Sequence, residues 1–141
     1  MGNKIMKIGY TTGVFDMFHI GHLNILKRAK ELCDYLVVGV STDELVESYK
    51  HKTPVIPYEE RVAIVRAIRY VDEVVPQITR DKIEAQERIG FDIMFVGDDW
   101  KGKPLFVEVE SELAKRGVDV VYFPYTNGTS STLLGEKLSK L

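Results

Sequence analysis

The stretch Tyr35-Leu36-Val37-Val38-Gly39-Val40 limits the possible folds more than any other feature of the chain. A strand with one wet face alternates apolar and polar residues, and this run does not alternate. Both of its faces must therefore be covered, as in a parallel sheet flanked by helices. Shorter strand-like runs recur at Lys7–Thr12, Val71–Val75, Ile93–Val96 and Val118–Phe123. Segments with helical spacing lie between them. Leu23, Leu26, Ala29 and Leu32 mark a helix from Gly21 to Asp34, and Val62, Val65, Ala67 and Ile68 mark one from Tyr58 to Arg69. Helices over Asp81–Ile89 and Leu105–Lys115 are closed by Gly90 and Gly117, and Ser131–Leu141 reads as a terminal helix. Ser41-Thr42-Asp43 offers capping side chains. Residues 48–57 are polar and basic, contain Pro54 and Pro57, and read as a loop, with Pro57 suited to a helix start. The alternation predicts an α/β fold over residues 1–141 as one domain, with a five-stranded parallel sheet and helices on both faces.

Bulk properties remove several classes of function. At 141 residues the chain can bury a core without a disulfide or metal staple. A net charge of −2 argues against broad nonspecific nucleic-acid binding. No run approaches the roughly 18 apolar residues of a membrane span. Cys33 is the single cysteine, which excludes an intrachain disulfide, and its neighbours Ala29, Leu32 and Leu36 suggest a buried thiol. A cytoplasmic setting is expected.

In sheets of this kind ligands bind beyond the carboxyl ends of the strands, near the point where strand order reverses. The first strand ends at Thr12-Gly13, and the chain continues Val14-Phe15-Asp16-Met17-Phe18-His19-Ile20-Gly21-His22. Two imidazoles three residues apart at a strand-to-helix junction can face one pocket. Gly21 keeps the backbone open to a ligand, and the amides of a helix start favour an anion. The same residues also suit a buried structural role or two ligands of a metal, although no pattern elsewhere supplies a third. The basic segment Tyr49-Lys50-His51-Lys52 is either a solvated loop or a cover over phosphates. Gly128-Thr129-Ser130-Ser131-Thr132 is either a helix cap or a phosphate nest. Arg69 suits the carboxyl end of a helix. Trp100 and Asp98-Asp99 either pack a turn or border a nucleotide.

His19-Ile20-Gly21-His22 after Gly13-Val14-Phe15-Asp16 resembles the HxGH signature of the nucleotidylyltransferase superfamily. The blocks Asp34–Glu44, Ile68–Val74, Gly97–Lys103 and Thr126–Thr132 resemble the glycerol-3-phosphate cytidylyltransferase family, in that family's order and over nearly the whole chain. The resemblance implies a Rossmann-like nucleotidylyltransferase fold and a homodimer. It also implies a reaction in which CTP and a small phosphorylated alcohol give a CDP-alcohol and pyrophosphate, with Mg²⁺ delivered by CTP rather than held by the protein. His19, His22 and Lys52 take the catalytic roles. Gly13, Val14, Phe15, Gly21, Thr126, Gly128, Thr129, Ser130, Ser131 and Thr132 join them around the nucleotide. Lys50, Arg69, Lys82 and Tyr125 fall to the acceptor. Two positions depart from the family pattern: Val14 where threonine is usual, and Tyr125 where arginine is. The acceptor is expected to be sn-glycerol 3-phosphate. Another small phosphate, or adenylyl transfer on the same fold, is the alternative.

Overall fold

The computed structural model describes residues 6–97 and 101–124. The segment from Tyr125 onward, with the expected phosphate nest and terminal helix, lies outside the described residues, as do Asp98, Asp99 and Trp100. Ten elements follow one another: β1 (Ile8–Gly13), α1 (Ile20–Glu31), β2 (Tyr35–Ser41), α2 (Asp43–Lys50), α3 (Tyr58–Arg66), β3 (Glu73–Gln77), α4 (Lys82–Ile89), β4 (Ile93–Gly97), α5 (Pro104–Lys115) and β5 (Asp119–Phe123). All strand pairs are parallel, in the order β3-β2-β1-β4-β5.

The apolar run of β2 behaves as its composition requires. Leu36, Val38 and Val40 pack on one face with Leu26 and Ala29 of α1 and Val62 and Val65 of α3. Val37 packs on the other face with Tyr10, Met94, Ala85 of α4 and Phe106 and Leu113 of α5. Gly39 belongs where two side chains need its space: a Cβ there would come within 2.5 Å of the Tyr10 hydroxyl. Aspartates secure the amino edge of the sheet. Asp34 accepts from the Lys7 amide (2.7 Å), Asp92 from Ile8 (2.9 Å) and Asp72 from Leu36 (2.8 Å). Lys30 adds an ion pair to Asp72 at 2.5 Å.

Several boundaries differ from the sequence expectation, including α1, which ends at Glu31 rather than Asp34, and three further ones have clear causes. The polar stretch read as a loop from residue 48 is helical to Lys50. Thr42 caps that helix through its hydroxyl (Leu45 N–H, 3.1 Å), and His51 ends it in the left-handed region at φ 58°. Two helices therefore separate β2 from β3. Helix α3 stops at Arg66, because the Ala67 and Ile68 amides turn back three residues to Ile64 and Val65 and tighten the last turn. Strand β3 starts at Glu73 rather than Val71, since the Val71 amide turns back to the Ile68 carbonyl (3.0 Å) and the first bond to β2 is that of the Asp72 amide to Leu36. It then runs through Pro76 to Gln77. Among the described residues it pairs only with β2, and an edge strand tolerates a missing N–H. Cys33 is half-buried, with its thiol donating to the Ala29 carbonyl at 3.3 Å.

One buried cation ties the carboxyl ends of these elements together. Arg61 of α3 is 0% exposed. Its guanidinium donates to the carbonyls of Val14 (2.7 Å), Ser41 (2.8 Å) and Ile56 (2.8 Å) and pairs with the Asp43 carboxylate. It thereby links the exit of β1, the end of β2, the start of α2 and the segment before α3. Arg61→Met preserves length and removes every donor, which strands a carboxylate and three carbonyls. The free energy of unfolding should fall by about 3–5 kcal/mol, with Arg61→Lys between the two. Urea denaturation measures this, and a loss within about 0.5 kcal/mol, typical of an unremarkable surface position, would show the hub to be dispensable.

Candidate active site

Strand order reverses between β1 and β4. Their ladder covers only Gly9–Ile93 and Tyr10–Met94, after which the Thr11 hydroxyl reaches the Phe95 carbonyl at 3.0 Å. Beyond this point opens a cleft of about 740 Å³. Its floor is the carboxyl ends of β1 to β4, from Thr11–Gly13, Ser41, Gln77 and Val96-Gly97. One part of the lining is cationic, with Lys50 and Tyr49 from α2, Arg80 from the connection after β3 and Lys82 from the start of α4. An apolar part of the lining comes from Leu105, Phe106 and Val109 of α5, which packs beside α4. The placement is the one the topology requires of a ligand site.

The segment from β1 into α1 is held in an unusual conformation. Phe15 (φ 54°) and Met17 (φ 48°) both occupy the left-handed region, uncommon for such bulky residues and a frequent mark of functional loops. The turn buries Phe15 and sets its ring edge-on to His22, with centroids 5.3 Å apart. Phe18 lies 5.2 Å from the same imidazole, and the His19 ring stacks on it at 3.9 Å.

Hydrogen bonds fix the tautomer of both histidines. The Gly21 amide donates to His19 Nδ1 (3.0 Å), and the His19 amide donates to His22 Nδ1 (3.2 Å). A nitrogen that accepts an N–H carries no proton, so in each neutral ring the proton sits on Nε2. Burial, and then the neighbouring His19, push His22 down to about 4 against a weaker opposing pull from Asp16; burial also lowers His19. Both rings are thus neutral Nε2–H donors near pH 7. The Nε2 of His19 is buried with no hydrogen-bond partner among the described residues, an arrangement a ligand acceptor would complete. The helix start is therefore not a set of free amides. The Gly21 N–H is spent on His19, which does not line the cleft itself but stacks on His22, which does.

The other expected site residues separate into groups. Gly13, Val14, Phe15, His22, Lys50 and Lys82 all line the cleft. Gly21 is buried in the first turn of α1. Lys52 is exposed and outside the cleft lining, although its charge is felt at Lys50, whose ammonium is held below its usual value by burial first and Lys52 second. Lys82 is pushed down to about 8, mainly by burial and then by Arg80, with Asp81 opposing. Arg69 is not brought to the cleft. It follows α3 at the amino edge of the sheet, exposed, with its guanidinium over the Tyr70 ring (6.0 Å). The chain passes there from the end of a helix to the start of a strand, and among the described residues Arg69 is not part of the cleft lining. Tyr125, Thr126 and Gly128–Thr132 lie outside the described residues.

Sequence reasoning passed over Gln77 and Arg80, and named Asp16 and Tyr49 without the roles they take here. Asp16 accepts from the amides of Val55 and Ile56 (2.8 Å each), which anchors the segment following Lys52. Tyr49, Gln77 and Arg80 line the cleft. The rule that pointed to the residues after β1 applies equally to those after β3, and would have found Gln77 and Arg80.

The comparisons with known proteins agree with this geometry. The cytidylyltransferase-like family model matches residues 10–137. A glycerol-3-phosphate cytidylyltransferase of Bacillus subtilis (strain 168) is 42% identical, covering 96% of this chain and all of that protein. An FAD synthase of Thermococcus kodakarensis is also 42% identical, over 80% of this chain and 76% of its own. The crystal structure of a lipopolysaccharide core biosynthesis protein from Thermoplasma volcanium superposes with a TM-score of 0.70 and 30% identity, covering 86% of this chain and 97% of that one. Among the described residues no helix is long and apolar enough to cross a membrane. With a Rossmann-like sheet, a cleft at its switch point and matches over nearly its full length, the chain belongs to the cytidylyltransferase-like family of nucleotidyltransferases.

Proposed function

We propose that the protein transfers a cytidylyl group from CTP to sn-glycerol 3-phosphate, giving CDP-glycerol and pyrophosphate. The observation that carries this reading is the end-to-end match to glycerol-3-phosphate cytidylyltransferases, which includes one from Staphylococcus aureus (37% identical over 94% of this chain) besides the Bacillus protein. In this reaction an oxygen of the acceptor phosphate forms a bond to the α-phosphorus of CTP. The bond from that phosphorus to the β-phosphate oxygen breaks, and pyrophosphate carries away the electron pair. The nucleophile is already an anion, so no strong base is needed. Catalysis rests on alignment and on stabilising charge at the transferred group.

The chain offers suitable parts. The neutral Nε2–H groups of His19 and His22 can donate to the phosphate oxygens where charge builds, and their lowered proton affinity keeps the donors in one form. Lys50 and Lys82 add positive charge to the cleft lining, and Lys52 adds more from the adjoining segment. The apolar wall of Leu105, Phe106 and Val109 suits the face of a base. Mg²⁺ enters as part of the substrate, with most of its shell filled by phosphate and water. Both carboxylate oxygens of Asp16 already hold backbone amides, so Asp16 serves as an anchor. A second reading, adenylyl transfer from ATP, rests on the FAD synthase relatives.

Pyrophosphate release across a panel of nucleotides and phosphorylated acceptors separates the two readings. Release should require CTP, Mg²⁺ and glycerol 3-phosphate and be at least tenfold weaker with ATP; equal or faster turnover with ATP would overturn the nucleotide assignment. His19→Ala and His22→Ala should each lower turnover on the order of 10²-fold, the scale for losing one preorganised donor, while circular dichroism stays native. Near-normal rates in both variants would return the pair to helix capping alone.

A further inference from the structure

The cationic wall of the cleft contains a residue that neither the motif nor the resemblance assigns. Arg80 lies in the connection between β3 and α4, exposed along the cleft lining. Its position is set at two points. Its guanidinium carbon lies 4.3 Å over the ring of Tyr49, in the last turn of α2. The backbone just before it is held from below: the Gln77 side chain, 1% exposed, donates to the Thr79 carbonyl and accepts from the hydroxyl of Tyr10, which is fully buried in β1. Tyr10 is in turn stacked on Phe91 (4.7 Å, 10°). A chain of contacts thus runs from the central strand to the loop that carries Arg80.

Charge makes the position informative. Lys50, Arg80 and Lys82 share one wall, and the charge of Arg80 is felt at both lysines. The nearest carboxylates are occupied. Asp81 caps α4 through the amides of Ile83 and Glu84, and Asp16 holds Val55 and Ile56. Among the described residues none of the three cations forms an ion pair with a carboxylate. Three like charges, offset only in part by Asp16 near Lys50 and Asp81 near Lys82 and in no ion pair among the described residues, suit a ligand carrying about two negative charges in a compact group. A phosphate monoester is such a group. The guanidinium fork engages two of its oxygens at once, which an ammonium cannot do.

We propose that Arg80, braced by Tyr49 and Gln77, is a specificity-determining residue that binds the phosphate of the acceptor and not the triphosphate of the nucleotide. The assignment rests on the cytidylyl-transfer reading for the identity of the acceptor, and on the cation cluster alone for its dianionic character. Equilibrium binding to the full chain tests it without requiring turnover. Titration calorimetry would use sn-glycerol 3-phosphate, inorganic phosphate and glycerol as probes, with CTP measured separately.

Wild type should bind the two phosphates and not glycerol. Arg80→Gln should weaken both phosphates about tenfold or more, the scale of a lost charge-assisted hydrogen bond, and change CTP binding less than twofold. Arg80→Lys should recover little of the loss. Tyr49→Phe should bind as wild type does, whereas Tyr49→Ala should weaken the phosphates in the same direction as Arg80→Gln. Three results overturn the proposal: phosphate binding that survives Arg80→Gln, CTP binding lost in parallel with it, or a wild type that binds neither phosphate. Failure of CTP as the nucleotide in the turnover panel would overturn the reaction proposed above and leave this dianion site standing, so the two failures are distinguishable.

Discussion

The buried guanidinium of Arg61 is the interaction on which the site depends. A charge with no solvent access is tolerated only when its hydrogen bonds are met, and Arg61 meets them with three carbonyls and one carboxylate from four separate segments. Those segments are the ones that shape the cleft. Val14 belongs to the turn that aims His19 and His22, Ser41 ends β2 on the cleft floor, and Asp43 opens the helix that carries Tyr49 and Lys50. Asp16 makes a second tie from the same turn to the segment after Lys52. The strained backbone at Phe15 and Met17 is held in place by these bonds and by the burial of the Phe15 ring.

Within that frame the two histidines combine structure and chemistry. Each uses Nδ1 to satisfy a backbone amide at the start of α1, which leaves each with its proton on Nε2. Burial against Phe15 and Phe18 favours the neutral form of His22. The capping role leaves each ring with a proton on Nε2, so the proposed donor role requires no change in the hydrogen bonds that cap the helix. The cleft lining combines cations from α2, from the connection after β3 and from α4 with apolar residues of α5. Such a lining suits the proposed reaction between a charged acceptor and a nucleotide with a flat base.

The parts of the fold legible in the sequence are those where one physical requirement dominates. The unbroken apolar run of β2 admits only a strand covered on both faces, and its register and packing follow. Asp81 and Gly90 bound α4 because a capping carboxylate and a left-handed glycine have few other uses. Boundaries fail where requirements compete. Residues 48–50 look like loop by composition, yet Thr42 caps a helix that reaches Lys50. Val71 looks like strand by propensity, yet the turn after α3 claims it, through its amide to Ile68. The motif between Gly13 and His22 pointed to the cleft, because strand order fixes where such a segment lies. Arg61 was invisible: in Tyr58-Glu59-Glu60-Arg61 it resembles a solvated helix residue, and only the tertiary structure reveals four acceptors around it. Arg69 shows the converse: a residue in a family-like block lies wherever the connection between α3 and β3 passes, which among the described residues is outside the cleft lining.

The central claim is that His19 and His22 are neutral Nε2–H donors whose tautomer is imposed by backbone amides. Long-range ¹H–¹⁵N correlation spectra of the histidine rings test it directly, before and after CTP is added. The account predicts that near pH 7 both rings carry the proton on Nε2, and that His22 remains neutral on acidification to about pH 5. CTP should then shift the Nε2–H resonances and leave the Nδ1 signals typical of an unprotonated nitrogen. A proton on Nδ1 of either ring, or an imidazolium at neutral pH without ligand, would contradict it.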